Sequence, residues 1–84
     1  MFYTYVLRSL KDGKLYIGFT QDLRKRFREH QDGGCLSTSP RRPLELIFYE
    51  AHRNKYDALR REGYFKSTKG KLTLKNMLRE FLKG

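Results

Sequence analysis

Two short runs rich in aromatic and β-branched residues, Phe2–Arg8 (FYTYVLR) and Leu15–Thr20 (LYIGFT), flank a stretch that contains Asp12-Gly13. Such runs suit the pleated surface of a strand and Asp-Gly is a strong turn signal, so the chain is expected to open as an antiparallel hairpin. A two-residue loop would pair Lys11 with Lys14, and a four-residue loop would pair Ser9 with Lys14. Both give odd pair sums, so Tyr5, Leu7, Tyr16 and Gly18 share one face in either case. With the four-residue loop, Tyr16 lies opposite Leu7 and diagonal to Tyr5, the two phenols about 7–8 Å apart at the backbone.

Thr20 is the expected N-cap of a helix with Asp22 in its first turn, running to about Gln31 and stopped near Gly33-Gly34. On its wheel Leu23 and Phe27 form the apolar stripe, Arg26 and His30 flank it, and Arg24, Lys25, Arg28 and Glu29 face away. A charge set beside a core-facing stripe is costly without a partner, so Arg26 asks for a reason. After a loop over Gly33–Pro43, Leu44–Ala51 reads as a third strand, expected to be the central or best-buried one. Asn54 or Asp57 caps a helix to about Thr68 with Tyr56, Leu59, Glu62, Gly63 and Lys66 inward. Gly70 reads as a break, and Leu72–Lys83 as a last helix with Leu74, Met77, Leu78 and Phe81 inward. The order ββαβαα predicts an α+β fold, a small three-stranded antiparallel sheet flanked by helices. Residues 1–84 show no linker or repeat, so one domain is expected, with a thin core, since chains of this size bury roughly 60–65% of their surface.

Lys and Arg number 19 against 9 Asp and Glu, for a net charge of +10, more than solubility requires. A polyanion is the expected partner, with nucleic acid first. No stretch is long and apolar enough to span a bilayer and no signal peptide is seen, so no membrane partner is expected. Cys35 is the only cysteine, which fits a reducing, cytoplasmic setting without an internal disulfide.

The run Tyr16-Ile17-Gly18, continuing through Thr20-Gln21-Asp22-Leu23-Arg24-Lys25-Arg26 to His30, resembles the second motif of the GIY-YIG nucleases. Of their first motif, Tyr3-Thr4-Tyr5 keeps the final tyrosine. Arg42-Pro43 to Tyr49-Glu50-Ala51, Asp57-Ala58-Leu59-Arg60-Arg61-Glu62 and Lys66-Ser67-Thr68-Lys69-Gly70-Lys71 are similar too, so the resemblance covers nearly the whole chain. It looks most like the small single-domain bacterial members, akin to the N-terminal domain of the excision-repair incision subunit. The resemblance implies a metal-dependent endonuclease acting on DNA, with branched or damaged DNA among the candidate substrates and RNA left open. It implies catalytic roles for Tyr5, Tyr16, Arg26, His30 and Glu62, with Tyr5 activating water as general base, Tyr16 orienting water or phosphate, and His30 assisting a proton relay. Phe19 stands where some relatives place a lysine that serves the proton chain, which leaves the base assignment open.

The residue types suit that chemistry on their own terms. Phosphodiester hydrolysis needs an attacking water, charge stabilisation in the transition state and help for the leaving oxygen. Mg²⁺ (or Mn²⁺) typically takes one or two carboxylates and keeps several waters, and Glu62 is the candidate ligand. Arg26 can clamp phosphate with a forked geometry that lysine lacks. A phenol of ordinary pKa near 10 is a poor base unless neighbours lower it. Each residue alone also has an ordinary structural explanation: Tyr5 and Tyr16 as core aromatics, Arg26 snorkelling over Leu23, His30 at a helix C-terminus, Glu62 paired with Lys66. It is their conjunction in a basic chain that points to a nuclease. Gly18, Thr20, Arg41, Arg42, Lys66, Lys69 and Lys71 are the expected nucleic-acid contacts, the cations acting on phosphates. The alternative is a catalytically weak or inactive nucleic-acid-binding module on the same scaffold. No small-molecule cofactor is expected; a monomer is, with a dimer left open.

Overall fold

A computed structural model describes residues 1–84. Its strands are β1 (Phe2–Ser9), β2 (Leu15–Thr20) and β3 (Leu44–His52). Its helices are α1 (Leu23–Gln31), α2 (Lys55–Lys66), α3 (Thr68–Met77) and α4 (Arg79–Lys83), with a single 3-10 turn at Ser39–Arg41. The strands form the expected three-stranded antiparallel sheet, in the order β2-β1-β3. No helix is long and apolar enough to cross a membrane.

The hairpin takes the four-residue loop: Ser9 N–H donates to Lys14 C=O at 2.9 Å, and Leu7 pairs with Tyr16 and Tyr5 with Gly18. Gly13 sits at φ +74°, where a side chain would be strained. The buried Ser9 hydroxyl donates to Arg41 C=O at 2.7 Å and accepts from Lys11 and Asp12 N–H, pinning the turn to the later loop.

The central strand is β1, not the third strand as the sequence suggested. Thr4, Tyr5, Val6 and Leu7 are all buried. The third strand reads as a long apolar run because its first half has apolar neighbours on both faces: Leu46 packs with Tyr5, Leu7 and Leu44 on one, Ile47 and Phe48 with Val6 and Phe65 on the other. The register against β1 slips between Val6 and Leu7, leaving Ile47 without an opposite residue.

The two faces carry two half-cores. One holds Tyr5, Leu7 and Leu44 with Tyr16, Leu46 and the α1 residues Leu23 and Phe27. The other holds Val6 and Ile17 against Phe65 of α2 and Leu74 of α3. Each large apolar side chain so buried is worth roughly 1.5–3 kcal/mol. Polar clamps set the helix positions. Thr4 Oγ1 donates to Ala58 C=O at 2.6 Å, and Arg61 forks onto Glu50 of β3 at 2.9 and 2.8 Å. Gln31 brackets Leu44, accepting from its N–H and donating to its C=O.

Helix ends correct several expectations. Asp22, not Thr20, caps α1, accepting from Lys25 N–H at 3.1 Å. Thr20 lies two residues earlier and accepts from Asp22 N–H, tightening the entry. At the other end Gly33 takes φ +82°, and the N–H groups of Gly33 and Gly34 reach back to His30 and Glu29 carbonyls, the Schellman closure. In α2 the buried stripe is Ala58 and Phe65, with Leu59 half-buried, while Tyr56, Gly63 and Lys66 point outward. The Thr4 and Glu50 clamps rotate the helix away from the sector that Tyr56 would have chosen. Gly70 is not a break but a buried residue in the first turn of α3; the break is at Ser67, which caps α3 by accepting from Gly70 N–H at 3.0 Å. The last helical stretch divides at Leu78 into α3 and α4, leaving Met77 and Phe81 exposed, with the Arg8 guanidinium 4.8 Å from the Phe81 ring centre.

The two helical glycines are expected to respond oppositely to alanine. A Cβ at Gly63 meets nothing, so Gly63→Ala should raise stability by about 0.5–1 kcal/mol through helix propensity. A Cβ at Gly70 runs into the Tyr64 carbonyl, so Gly70→Ala should destabilise by more than about 2 kcal/mol. Urea unfolding of both variants checks the pair; equal effects would refute the packing described for α2 and α3.

Candidate active site

Gly18 and Tyr5 are cross-strand partners, and their pairing organises the α1 face. A Cβ on Gly18 would run into the Tyr5 ring and hydroxyl, so only glycine lets the ring lie across β2. The Tyr5 hydroxyl reaches His30 Nε2 at 2.9 Å, and His30 Nδ1 reaches Thr38 Oγ1 at 2.7 Å. Tyr5, His30 and Thr38 are each at most 1% exposed. Burial, helped by the nearby Arg26 charge, holds the His30 pKa below its usual 6.5, so the imidazole is neutral at pH 7. The partners then assign the tautomer: Tyr5 O–H donates to Nε2, Nδ1–H donates to Thr38, and Thr38 O–H turns to Cys35 C=O at 3.4 Å.

Burial also pushes the Tyr5 phenol up to about 12, against the downward pull of Arg26 close by. Tyr5 therefore stays protonated and donates. Its hydroxyl in turn raises the Arg26 pKa, and Arg26 bonds Glu29 at 3.2 Å one turn along α1. Tyr16 completes the group, its ring centre 5.1 Å from that of His30 and 6.4 Å from that of Tyr5, and it is partly exposed where Tyr5 is not. The structure thus brings Tyr5, Tyr16, Arg26 and His30 together.

Glu62 is not in contact with these four. It lies on α2, which packs on the opposite face of the sheet, and its carboxylate accepts from Lys66 Nζ at 3.1 Å. Its side chain is only 21% exposed. Arg61 leans to the β3 side to meet Glu50, so Glu62, about 100° further round the helix, turns toward the β2 side. No group of three or more His, Cys, Asp or Glu is placed to hold a metal ion.

The expected nucleic-acid contacts divide. Gly18 is buried beneath Tyr5 and offers no surface. Thr20 is spent on the turn into α1. Arg41 is largely covered beside Asp12 at 3.5 Å, while Arg42 is exposed with its head on Ser39 and Gln31 carbonyls. Lys66, Lys69 and Lys71 are exposed. Lys71 and Lys75 of α3, with Lys14 of the hairpin turn, line a cleft of about 340 Å³ away from the tyrosines. The residues that sequence reasoning missed are Thr38 and Cys35: Thr38 fixes the far nitrogen of His30, and Cys35 Sγ lies 4.0 Å from the near one. Both sit in the loop of small and polar residues after α1, where nothing in the local pattern distinguishes them.

The GIY-YIG catalytic domain model matches residues 1–76, and the chain belongs to that family. Among its relatives is the UPF0213 protein YazA of Bacillus subtilis, 48% identical over 63 residues, covering 74% of this chain and 63% of the relative. A UPF0213 protein of Bacillus licheniformis is 43% identical over 75 residues, covering 88% and 72% of the two chains. The solution NMR structure of the UPF0213 protein BH0048 from Bacillus halodurans superposes with a TM-score of 0.56 at 34% identity, covering 92% of this chain and 85% of that one. The chain spans just under two thirds of the length of the Bacillus subtilis relative.

The buried neutral imidazole makes stability depend on pH. In the unfolded chain His30 takes up a proton near its ordinary 6.5, whereas the folded state resists until lower pH, so stability is full above about 6.5 and is lost as pH falls below it. Glu50, held below its usual 4.5 by Arg61, adds a second loss only under about pH 4.5. The urea midpoint should fall between pH 7 and 5, and His30→Gln should flatten that part of the profile. An unchanged slope in His30→Gln would mean that another group carries it.

Proposed function

We propose that the chain is a divalent-metal-dependent endonuclease that hydrolyses phosphodiester bonds of DNA at the Tyr5–Tyr16–Arg26–His30 face. The observation that carries this reading is the convergence of two phenols, a guanidinium and a neutral imidazole at the hairpin–α1 junction of a GIY-YIG family chain. Hydrolysis forms one O–P bond from water and breaks another; the water proton must leave and the departing oxygen must gain one. Arg26, partly exposed at the rim, clamps the phosphate and stabilises its growing charge.

Burial favours a division of labour between the tyrosines other than the one the resemblance implies. Tyr5 is 1% exposed, protonated and already donating to His30, so it is poorly placed to meet water. Tyr16 is the phenol that reaches solvent; it orients the attacking water and, as its phenolate, takes the proton that the water loses. Tyr5, His30 and Thr38 form the buried chain that fixes Tyr16 and Arg26.

Glu62 is the metal ligand in this reading, for Mg²⁺ or Mn²⁺. A single, mostly covered carboxylate fits a hydrated ion that takes its other ligands from water and phosphate. Such an ion supplies Lewis acidity at the phosphate. The exposed Lys66, Lys69 and Lys71 supply salt-sensitive phosphate contacts without base readout.

Labelled linear and branched DNA, and RNA, incubated with Mg²⁺, Mn²⁺ or chelator test the reading. Cleavage should require metal and fall at least about 100-fold in Glu62→Gln and Tyr16→Phe, with DNA binding retained. Tyr5→Phe should cost less than Tyr16→Phe; the reverse order would return water activation to Tyr5. Binding by every variant without cleavage of any substrate would leave a binding module on the same scaffold.

A further inference from the structure

Beyond the end of α1 the sheet face stays bare. Tyr3 and Tyr49 stand there with ring centres 6.0 Å apart at 64°, and Tyr49 is 53% exposed. With Gln21, Asp22, Leu23 and Arg24 they line a cleft of about 310 Å³. Tyr49 is the direct cross-strand partner of Tyr5, so the cleft adjoins the candidate active site on the same face. Tyr3 takes no part in the Tyr5–His30 chain.

We propose that this cleft is a stacking platform for one unpaired nucleobase beside the phosphate to be cut, so that the substrate is a strand with unpaired nucleotides at the cleavage point. The proposal rests on the nuclease reading above and names its substrate class. A base has two planar faces to place against tyrosine, and stacking does not depend on its identity. Arg24, exposed at the rim, meets the backbone of the same strand. Asp22 is the one anion in the lining, and its Oδ1 is turned back to Lys25 N–H as the α1 cap. A base-paired nucleotide presents no free face, which is why the platform selects unpaired substrate.

The test uses the full chain in chelator, which separates binding from cutting. Oligonucleotides carry one 2-aminopurine, placed either in an unpaired segment or within a fully paired duplex of equal phosphate number. Binding is read by anisotropy and stacking by the fluorescence of the analogue. The unpaired form should bind about tenfold tighter and change its fluorescence on binding. Tyr49→Ala should lose about tenfold on the unpaired form only, Tyr49→Phe should keep it, and the salt dependence should stay as in the parent because no ionic contact is removed. Equal affinity of parent and Tyr49→Ala for both forms, or no binding by the parent, overturns the platform. If metal-dependent cleavage persists with equal rates on paired and unpaired DNA, the platform falls while the nuclease reading stands; Tyr49-dependent binding without any cleavage leaves the platform and removes the nuclease.

Discussion

The Tyr5 ring laid across Gly18, with its hydroxyl on His30, is the contact from which the rest of the arrangement follows. It requires a glycine on β2, because any side chain there would collide with the ring. It also requires α1 to approach closely enough for His30 to reach the phenol at 2.9 Å, and that approach is held by Leu23 and Phe27 packing on the same half-core. Once His30 is buried, its second nitrogen needs a partner, since an unsatisfied buried imidazole N–H is costly. Thr38 meets that need and so orders the loop after α1.

The two faces of the sheet carry different work. The α2–α3 side is mainly apolar packing around Phe65 and Leu74, clamped by Thr4 and by the Arg61–Glu50 fork. The α1 side exchanges part of its apolar packing for polar groups that burial perturbs: a phenol pushed up and an imidazole pushed down. Groups whose protonation burial perturbs in this way cluster at functional sites. Here they fall on Tyr5 and His30, beside Tyr16 and Arg26, and the lysine-lined cleft at the hairpin turn and α3 carries no group perturbed by burial in this way.

Glu62 shows that an inward position on a helix does not by itself bring a residue to the α1 face. Its wheel position put it inward, and its side chain is mostly covered. Yet it stands on the other layer, held by Lys66. Glu62 would hold the metal from that layer, whereas Tyr5, Tyr16, Arg26 and His30 are already assembled by folding.

The amino-acid sequence alone determined the hairpin, the shared face of Tyr5, Tyr16 and Gly18, the inward flank of Arg26 and His30, the positive charge and the family, because strand alternation, helical period and motif spacing are local rules that need no partner. Tertiary structure decided that β1 and not β3 is central, that α2 buries Ala58 and Phe65 and turns Tyr56 out, and that Gly70 lies inside a helix under the Tyr64 carbonyl. It also decided that Thr38 completes the His30 chain and that Tyr5 is sealed from solvent while Tyr16 is not. These depend on which surfaces meet, and a hydroxyl eight residues away across a loop, or a carbonyl from the preceding helix, leaves no mark on periodicity.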